Sequence, residues 1–110
     1  MSDIEADIWF LPTEAGGRHG PAKSGYRPQF FYDNQDWDAQ HEFVGVEWVH
    51  PGEKVLARLS FFKPDFHLGK VHVGMPFLIR EGAKTVAYGV VRAILDLEAS
   101  AAAVRKRRAQ

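Results

Sequence analysis

The sequence predicts a small all-β domain, an antiparallel barrel or sandwich of about six strands, followed by a C-terminal helix. Short runs rich in aliphatic and aromatic residues recur along the first 95 of the 110 residues, and Gly- or Pro-containing turn signals separate them. Only Leu95–Arg108, with its four alanines, has a helical composition. No internal repeat suggests a solenoid or propeller.

Alternation of apolar and polar residues marks the strands. Every second residue from Val55 to Phe61 is apolar, which predicts a half-buried strand after the type II turn signal Pro51-Gly52. The same period places Val44, Val46 and Trp48 on one face of a predicted strand over Glu42–Pro51. The remaining predicted strands are Ile4–Leu11, Gln29–Tyr32, Val71–Arg80 and Thr85–Leu95, with a hairpin loop at Glu81–Lys84 and a polar connection at Asp33–Gln40.

Composition favours a folded domain without disulfides. Hydrophobic residues make up 45% of the chain and aromatic residues 13%, and there is no cysteine to form a disulfide or a thiolate ligand. No apolar run approaches the ~18 residues of a membrane-spanning helix. The first seven residues carry three acids, where a signal peptide needs a basic start. We therefore expect a cytoplasmic protein with no membrane association.

The net charge of zero is the sum of two unequal parts. Residues 1–95 hold 10 basic and 12 acidic side chains, whereas residues 96–110 hold four basic and two acidic ones. The four are Arg105, Lys106, Arg107 and Arg108. Such a tail either meets an anionic partner or is a solvated helix end. The chain thus divides into a predicted barrel, residues 1–95, and a basic tail, residues 96–110, helical or disordered.

Two patterns associated with catalysis are incomplete. Gly17–Ser24 matches a phosphate-binding P-loop except that Ala22 replaces the second glycine, and Pro21 removes an amide that such a loop would use. The five histidines match no strong metal spacing, so we expect them on the surface or in hydrogen bonds. Only these histidines would support an enzymatic function. We expect a non-enzymatic protein with no cofactor, metal or small-molecule substrate.

The most distinctive segment is Arg18–Gln29, where cations are interleaved with aromatic residues. Arg18, His19, Lys23 and Arg27 stand beside Tyr26, Phe30 and Phe31. Such a mixture can contact phosphates and stack on planar groups. Alternatively, its Tyr and Pro pack on the barrel while Arg27 bonds backbone carbonyls. The residues alone leave both interpretations open.

Three motifs, in order, resemble the third, C-terminal domain of elongation factor Tu. Gly16-Gly17-Arg18-His19, continued by Gly25-Tyr26-Arg27-Pro28-Gln29-Phe30, resembles the signature that opens this domain. Val49–Glu53 is similar to the family's Met-Pro-Gly-Asp turn. Ile79–Val91 is similar to its Ile-Arg-Glu-Gly-Gly-Arg-Thr-Val-Gly-Ala-Gly-Val-Val. The resemblance covers roughly residues 6–95.

This resemblance implies a six-stranded antiparallel Greek-key barrel without catalytic residues. In the family, the domain docks on a GTPase domain and a second barrel, touches the T stem of aminoacyl-tRNA, and offers surface to the nucleotide-exchange partner. The residues that match the GTPase-facing loop and strand are Arg18, His19, Tyr26, Arg27 and Gln29. The hairpin nearest the tRNA side corresponds to Arg80, Glu81, Gly82, Lys84 and Thr85. The candidate nucleic-acid contacts are Lys23, Arg80, Lys84, Thr85, Arg105, Lys106, Arg107 and Arg108.

The sequence also departs from the family pattern. Acids occur at Asp33, Asp36 and Asp38, in and after a stretch where the family has an Arg-Thr-Thr-like sequence, and they would repel RNA. Pro64–Met75 is about four residues longer than its counterpart, and the basic helix has none. We expect a stand-alone domain that lacks the GTPase and second domains.

Two functions follow. The first is a translation-factor-like binding module that contacts tRNA, another RNA or a translation protein through the Arg18–Gln29 loop, the Arg80–Thr85 hairpin and the tail. The second is a protein-interaction module that docks on, or mimics a domain of, a translational GTPase without binding RNA.

Overall fold

A computed structural model describes residues 1–109, in which eight strands, two 3-10 helices and one α-helix form. The strands are β1 Ile4–Phe10, β2 Ala22–Lys23, β3 Gln29–Tyr32, β4 Gln35–Phe43, β5 Trp48–Val49, β6 Lys54–Phe61, β7 Pro76–Glu81 and β8 Lys84–Ile94. The α-helix, α1, spans Leu97–Arg108, and the 3-10 helices span Thr13–Ala15 and Pro64–His67. Six strands close into a barrel in the order β1-β6-β4-β3-β7-β8, with β2 and β5 paired beside it. The six-stranded antiparallel barrel implied by the resemblance is confirmed.

The barrel interior is filled by the side chains that alternate inward along each strand. In β1, Ile4, Ala6 and Ile8 are fully buried while the residues between them are half-buried. Phe30 lies at the centre, stacked on Phe77 with ring centroids 4.2 Å apart. Full burial of a side chain of this size stabilises the fold by roughly 1.5–3 kcal/mol. The period-2 pattern therefore specifies the inner face of these strands.

The sequence-based prediction missed strand β4, as well as the two-residue strand β2. The predicted polar connection Asp33–Gln40 turns at Asp33-Asn34, with φ of 51° and 60°, and then continues as β4. Its inward residues Ala39, His41 and Phe43 are buried. The outward residues are polar because they face solvent, and this made the strand resemble a loop.

The predicted strand over Glu42–Pro51 is wrong. β4 ends at Phe43, and the chain turns away at Gly45, whose φ is 80°. The three residues predicted to share a strand face are exposed instead, Val44 by 39%, Val46 by 50% and Trp48 by 48%. Only the short β5 forms here, paired with β2. Apolar and polar residues do alternate in this segment, but no other part of residues 1–109 buries its apolar side chains.

The other predicted boundaries need smaller corrections. β7 begins at Pro76 rather than Val71, because the chain turns at Gly74 with φ of 88°. The turn at Pro51-Gly52 is confirmed, with Gly52 at φ 89°. The hairpin loop is also confirmed, since Glu81 pairs with Lys84. The helix starts two residues after the predicted Leu95. Gln110, the last residue of the predicted tail, lies outside the described residues.

The longer segment after β6 and the C-terminal helix pack on each other. Arg108 donates to the Asp65 carboxylate, with 3.2 Å between Nη2 and Oδ1, and its guanidinium lies 5.8 Å from the Phe66 ring centroid. This hydrogen bond lowers the pKa of Asp65. Leu97 and Ala101, one helical turn apart, are buried. The basic tail is therefore a docked helix that is fixed to the barrel.

Two histidines, His41 and His67, are fully buried. The prediction that the histidines lie on the surface or in hydrogen bonds is wrong for His41. Neither ring nitrogen of His41 has a hydrogen-bond partner, and burial lowers its pKa to about 3. His67 receives or donates one hydrogen bond, 2.6 Å between Nδ1 and the Tyr32 hydroxyl. Burial, with a contribution from Lys70, lowers the pKa of His67 to about 4. Both rings are therefore neutral in the folded protein at pH 7.

Acidification should destabilise the fold through His41. The unfolded chain takes up this proton near pH 6.5, and the folded chain only near pH 3, so the stabilisation is complete above pH 6.5 and is lost as pH falls below it. From pH 7 to pH 5, His41 alone should lower the free energy of unfolding by roughly 2 kcal/mol. Urea denaturation at both pH values measures this difference.

The variant His41→Leu removes that proton-binding site, and the difference between pH 7 and pH 5 should shrink by roughly 2 kcal/mol. His72→Leu is the matched control, because His72 is exposed. Equal pH dependence in the two variants would contradict the assignment to His41.

Candidate partner-binding interface

The barrel has two ends that carry different features. The loop end holds the β7–β8 turn, the Pro51-Gly52 turn and the segment from Leu11 to Pro28. The helix end holds the β3–β4 turn, α1 and the 3-10 helix Pro64–His67. Strand β8 runs between them with 11 residues, and at ~3.3 Å per residue the two ends lie roughly 30 Å apart.

A three-residue cluster organises the loop end. Glu81, the last residue of β7, accepts hydrogen bonds from both the Arg18 guanidinium and the Tyr26 hydroxyl through one carboxylate oxygen, Oε2. Arg18 also lies over the Tyr26 ring, 5.1 Å from its centroid. Its remaining donors reach the carbonyls of Gly20 and Pro21, each at 3.2 Å. The loop is thus tied to the β7–β8 hairpin by charge-assisted bonds.

Tyr26 connects this cluster to the core. Its ring packs near Phe10 and His41, with centroids 6.3 Å and 5.8 Å away. Its carbonyl accepts a 2.8 Å hydrogen bond from the His41 backbone N–H, which extends the pairing of β4. Burial, with the hydrogen bond to Glu81, raises the pKa of Tyr26 well above its ordinary value. The phenol therefore stays protonated as a donor at physiological pH.

A close backbone contact shapes the start of the loop. The Gly17 N–H donates to the Pro12 carbonyl at 2.9 Å, and a Cβ at Gly17 would lie 2.1 Å from the Leu11 carbonyl oxygen. The Thr13 hydroxyl donates to the Arg18 carbonyl at 2.6 Å. Only glycine allows this approach, so Gly17 fixes the backbone position from which the Arg18 side chain extends.

These contacts bear on the packing interpretation of the Arg18–Gln29 segment. The packing interpretation is right for Tyr26 and for Pro28, which is buried. It is wrong for Arg27, which is exposed and donates to the Gln40 side chain at 3.3 Å. Arg18 is the residue that bonds backbone carbonyls.

Three of the predicted GTPase-facing residues carry polar side chains that are exposed or half-buried. His19 and Arg27 are exposed, whereas Gln29 is half-buried and its Oε1 is enclosed without a hydrogen-bond partner among residues 1–109. Gln29 pairs across the sheet with Arg80, whose Nη1 lies 3.7 Å from Asp36 and whose guanidinium lies 4.6 Å from the Phe31 centroid. The Nε of Arg80 is also enclosed without a partner there. This cross-strand pair thus holds two enclosed polar atoms without hydrogen bonds.

The candidate nucleic-acid contacts do not converge on one patch. Lys23 lies 3.4 Å from Glu47, and Thr85 is half-buried opposite Arg80. Lys84 is exposed at the loop end and has no ion pair within the described part of the chain. The helix cations Arg105, Lys106 and Arg107 are exposed at the helix end, where Arg108 is already bound to Asp65. Phosphate contacts from both ends would have to span roughly 30 Å.

No group of three or more His, Asp or Glu residues able to hold a metal ion occurs in residues 1–109. None of the helices described there is long and apolar enough to cross a membrane.

A family model described as elongation factor Tu C-terminal domain matches residues 1–95. The chain belongs to this family. The match ends one residue beyond β8, so it contains the whole barrel and leaves α1 outside. It identifies the barrel as a translation-factor-related module.

The role of Glu81 was missed by sequence reasoning. The resemblance placed Glu81 on the tRNA-side hairpin and Arg18 and Tyr26 on the GTPase-facing loop. The structure joins these two sets, although Glu81 is 63 residues from Arg18 and 55 from Tyr26 in the chain. The signal available in the sequence was an acidic residue, Glu81, in one family motif and a basic residue, Arg18, in the other.

Glu81→Gln should lower the free energy of unfolding by roughly 1–2 kcal/mol, since it removes the charge that both donors share while Tyr26 stays partly buried. Urea denaturation at pH 7 measures the change. Glu14→Gln is the matched control, because Glu14 is an exposed acid in the same loop region without an ion pair in residues 1–109. Equal stability of the two variants would show that the cluster contributes nothing.

Proposed function

We propose that this protein is a non-enzymatic docking module that binds a translation protein, foremost a translational GTPase, through its loop end. The observation that carries this proposal is the convergence of Arg18 and Tyr26 on Glu81. Their hydrogen bonds hold a long loop in one conformation before any partner arrives. A preorganised loop loses less conformational entropy on binding, which favours affinity.

The surface beside this cluster has the composition of a protein interface. Val46 and Trp48 are exposed apolar residues next to β2, and Arg27 and His19 are exposed polar ones. Aromatic and arginine side chains with a polar rim are typical of protein-binding patches.

Charge distribution favours a protein partner over RNA at this end. Arg18, Arg80 and Lys23 each have an acidic neighbour within the barrel or its loops. Cations that are already paired release fewer counterions when they meet phosphate, so they contribute less to RNA affinity.

A second candidate function is RNA binding through α1. Arg105, Lys106 and Arg107 are exposed along its last turn and form no ion pair with another described residue. Three such cations would give an RNA affinity that falls with salt at a log–log slope of roughly −2 to −3. This candidate needs no contribution from the loop end.

The isolated GTPase domain of an elongation factor Tu is the probe for the proposed function. Calorimetric titration with the full chain should give a saturable complex, and Arg27→Ala should weaken it by about fivefold, the effect of losing roughly 1 kcal/mol at an interface rim. Arg92→Ala is the matched control, because Arg92 is equally exposed but lies on β8 away from the loop end.

Two results would contradict the proposal. One is the absence of GTPase-domain binding, and the other is equal weakening by the two arginine variants. Filter binding of aminoacyl-tRNA over a salt series tests the second candidate, which would be supported by a steep slope that the substitution of Arg105, Lys106 and Arg107 by alanine abolishes.

A further inference from the structure

The outer face of the barrel contains a groove that shares one residue, Arg27, with the surfaces assigned to the candidate functions. It consists of two adjoining cavities of about 390 and 240 Å³, which share the side chains of Asp38 and Phe62. The larger cavity lies within the size range of ligand sites in proteins. Besides the shared pair, the larger cavity is lined by Arg27, Ala39, Gln40, Ser60 and Phe61, and the smaller by Gln35, Asp36, Trp37 and Lys63.

The groove exists because β4 changes partner along its length. Residues 35–38 pair with β3, and residues 39–43 pair with β6. Strand β6 ends at Phe61, after which the Phe62 N–H donates to the Asp38 carbonyl at 3.0 Å. The Phe62 side chain is 75% exposed and forms a wall shared by both cavities. The sheet therefore opens at this point into a cleft bordered by an aromatic ring.

The two cavities differ in chemistry. The larger one has Phe62 as its apolar wall, with Arg27 held at its edge by Gln40. Asp36 and Asp38 line the smaller one. Asp36 lies 3.7 Å from the Arg80 guanidinium, whereas Asp38 is exposed and forms no ion pair in residues 1–109. An exposed aromatic wall thus adjoins one unpaired carboxylate.

Lys63 lines the smaller cavity as well, but its ammonium is turned toward another group. Its Nζ lies 5.7 Å from the centroid of the Phe66 ring, in a cation–π contact beside α1. Lys63 therefore leaves the Asp38 carboxylate free to accept a hydrogen bond.

We propose that this groove binds an extended segment of a partner protein that carries a basic side chain next to an apolar one. The apolar side chain fills the larger cavity against Phe62. The ammonium or guanidinium enters the smaller cavity and donates to the Asp38 carboxylate. Charge complementarity favours such a segment over a nucleic acid, because the unpaired Asp38 carboxylate would repel phosphate.

A blocked tripeptide, acetyl-Leu-Arg-Leu-amide, is the probe, and amide chemical shifts of the ¹⁵N-labelled full chain are the readout. Addition to about 10 mM should shift the amides of Asp38, Gln40 and Phe62 along a saturating curve, consistent with the millimolar affinity expected of so short a ligand. Acetyl-Leu-Glu-Leu-amide should leave them unchanged. Equal shifts with the two peptides, or shifts confined to other residues, would overturn the proposal, as would the absence of any shift.

Two matched variants locate the charge. Asp38→Asn should weaken binding of the Arg peptide by about fivefold, the effect of removing one exposed charge partner. Asp33→Asn, at a nearby exposed acid whose positive φ asparagine tolerates, should change it less than about twofold. Equal effects would overturn the proposal. Asp38→Asn should leave GTPase-domain binding intact, so this result is independent of the proposed function.

Discussion

Glu81 accepts hydrogen bonds from both Arg18 and Tyr26, and the conformation of the loop end depends on this interaction. Arg18 and Tyr26 come from a loop of more than a dozen residues that has little regular structure of its own. Without a common acceptor, Arg18 would have only backbone carbonyls, and the partly buried Tyr26 hydroxyl would lose its partner. Since a partly buried donor without a partner costs roughly 1–3 kcal/mol, one carboxylate fixes the loop, the hairpin and the Tyr26 ring together.

The same arrangement explains how family motifs far apart in the sequence can form one structure. The opening signature supplies Gly17, which allows the tight backbone approach, and Arg18 and Tyr26, which supply the donors. The later motif supplies the acceptor, Glu81, at the end of β7. Tyr26 then transmits the position of the loop to the core through its contact with His41. The loop end and the barrel interior are therefore joined by direct packing contacts.

The sequence allowed much of the barrel to be predicted, and the errors have physical causes. The strand from Lys54 to Phe61 was predicted correctly because its inner face is apolar and its outer face mostly polar. Strand β4 was missed because its first residues are all polar or half-buried, and Val44–Trp48 was misassigned because exposed apolar residues can alternate too. The prediction that the strands close into a barrel came from the resemblance to the elongation factor Tu domain. Contacts such as Arg18–Glu81 and Asp65–Arg108 depend on tertiary proximity, which local patterns do not contain.

The separation between the two ends of the barrel has a practical consequence for any molecule built on this chain. Whatever is attached after α1, whether a reporter, a surface tether or a further polypeptide, starts on the side opposite the preorganised loop, with the length of β8 in between. Immobilisation through the C-terminus therefore presents the loop end outward and free of steric obstruction. The helix serves as the attachment point, and the barrel holds the loop end away from it.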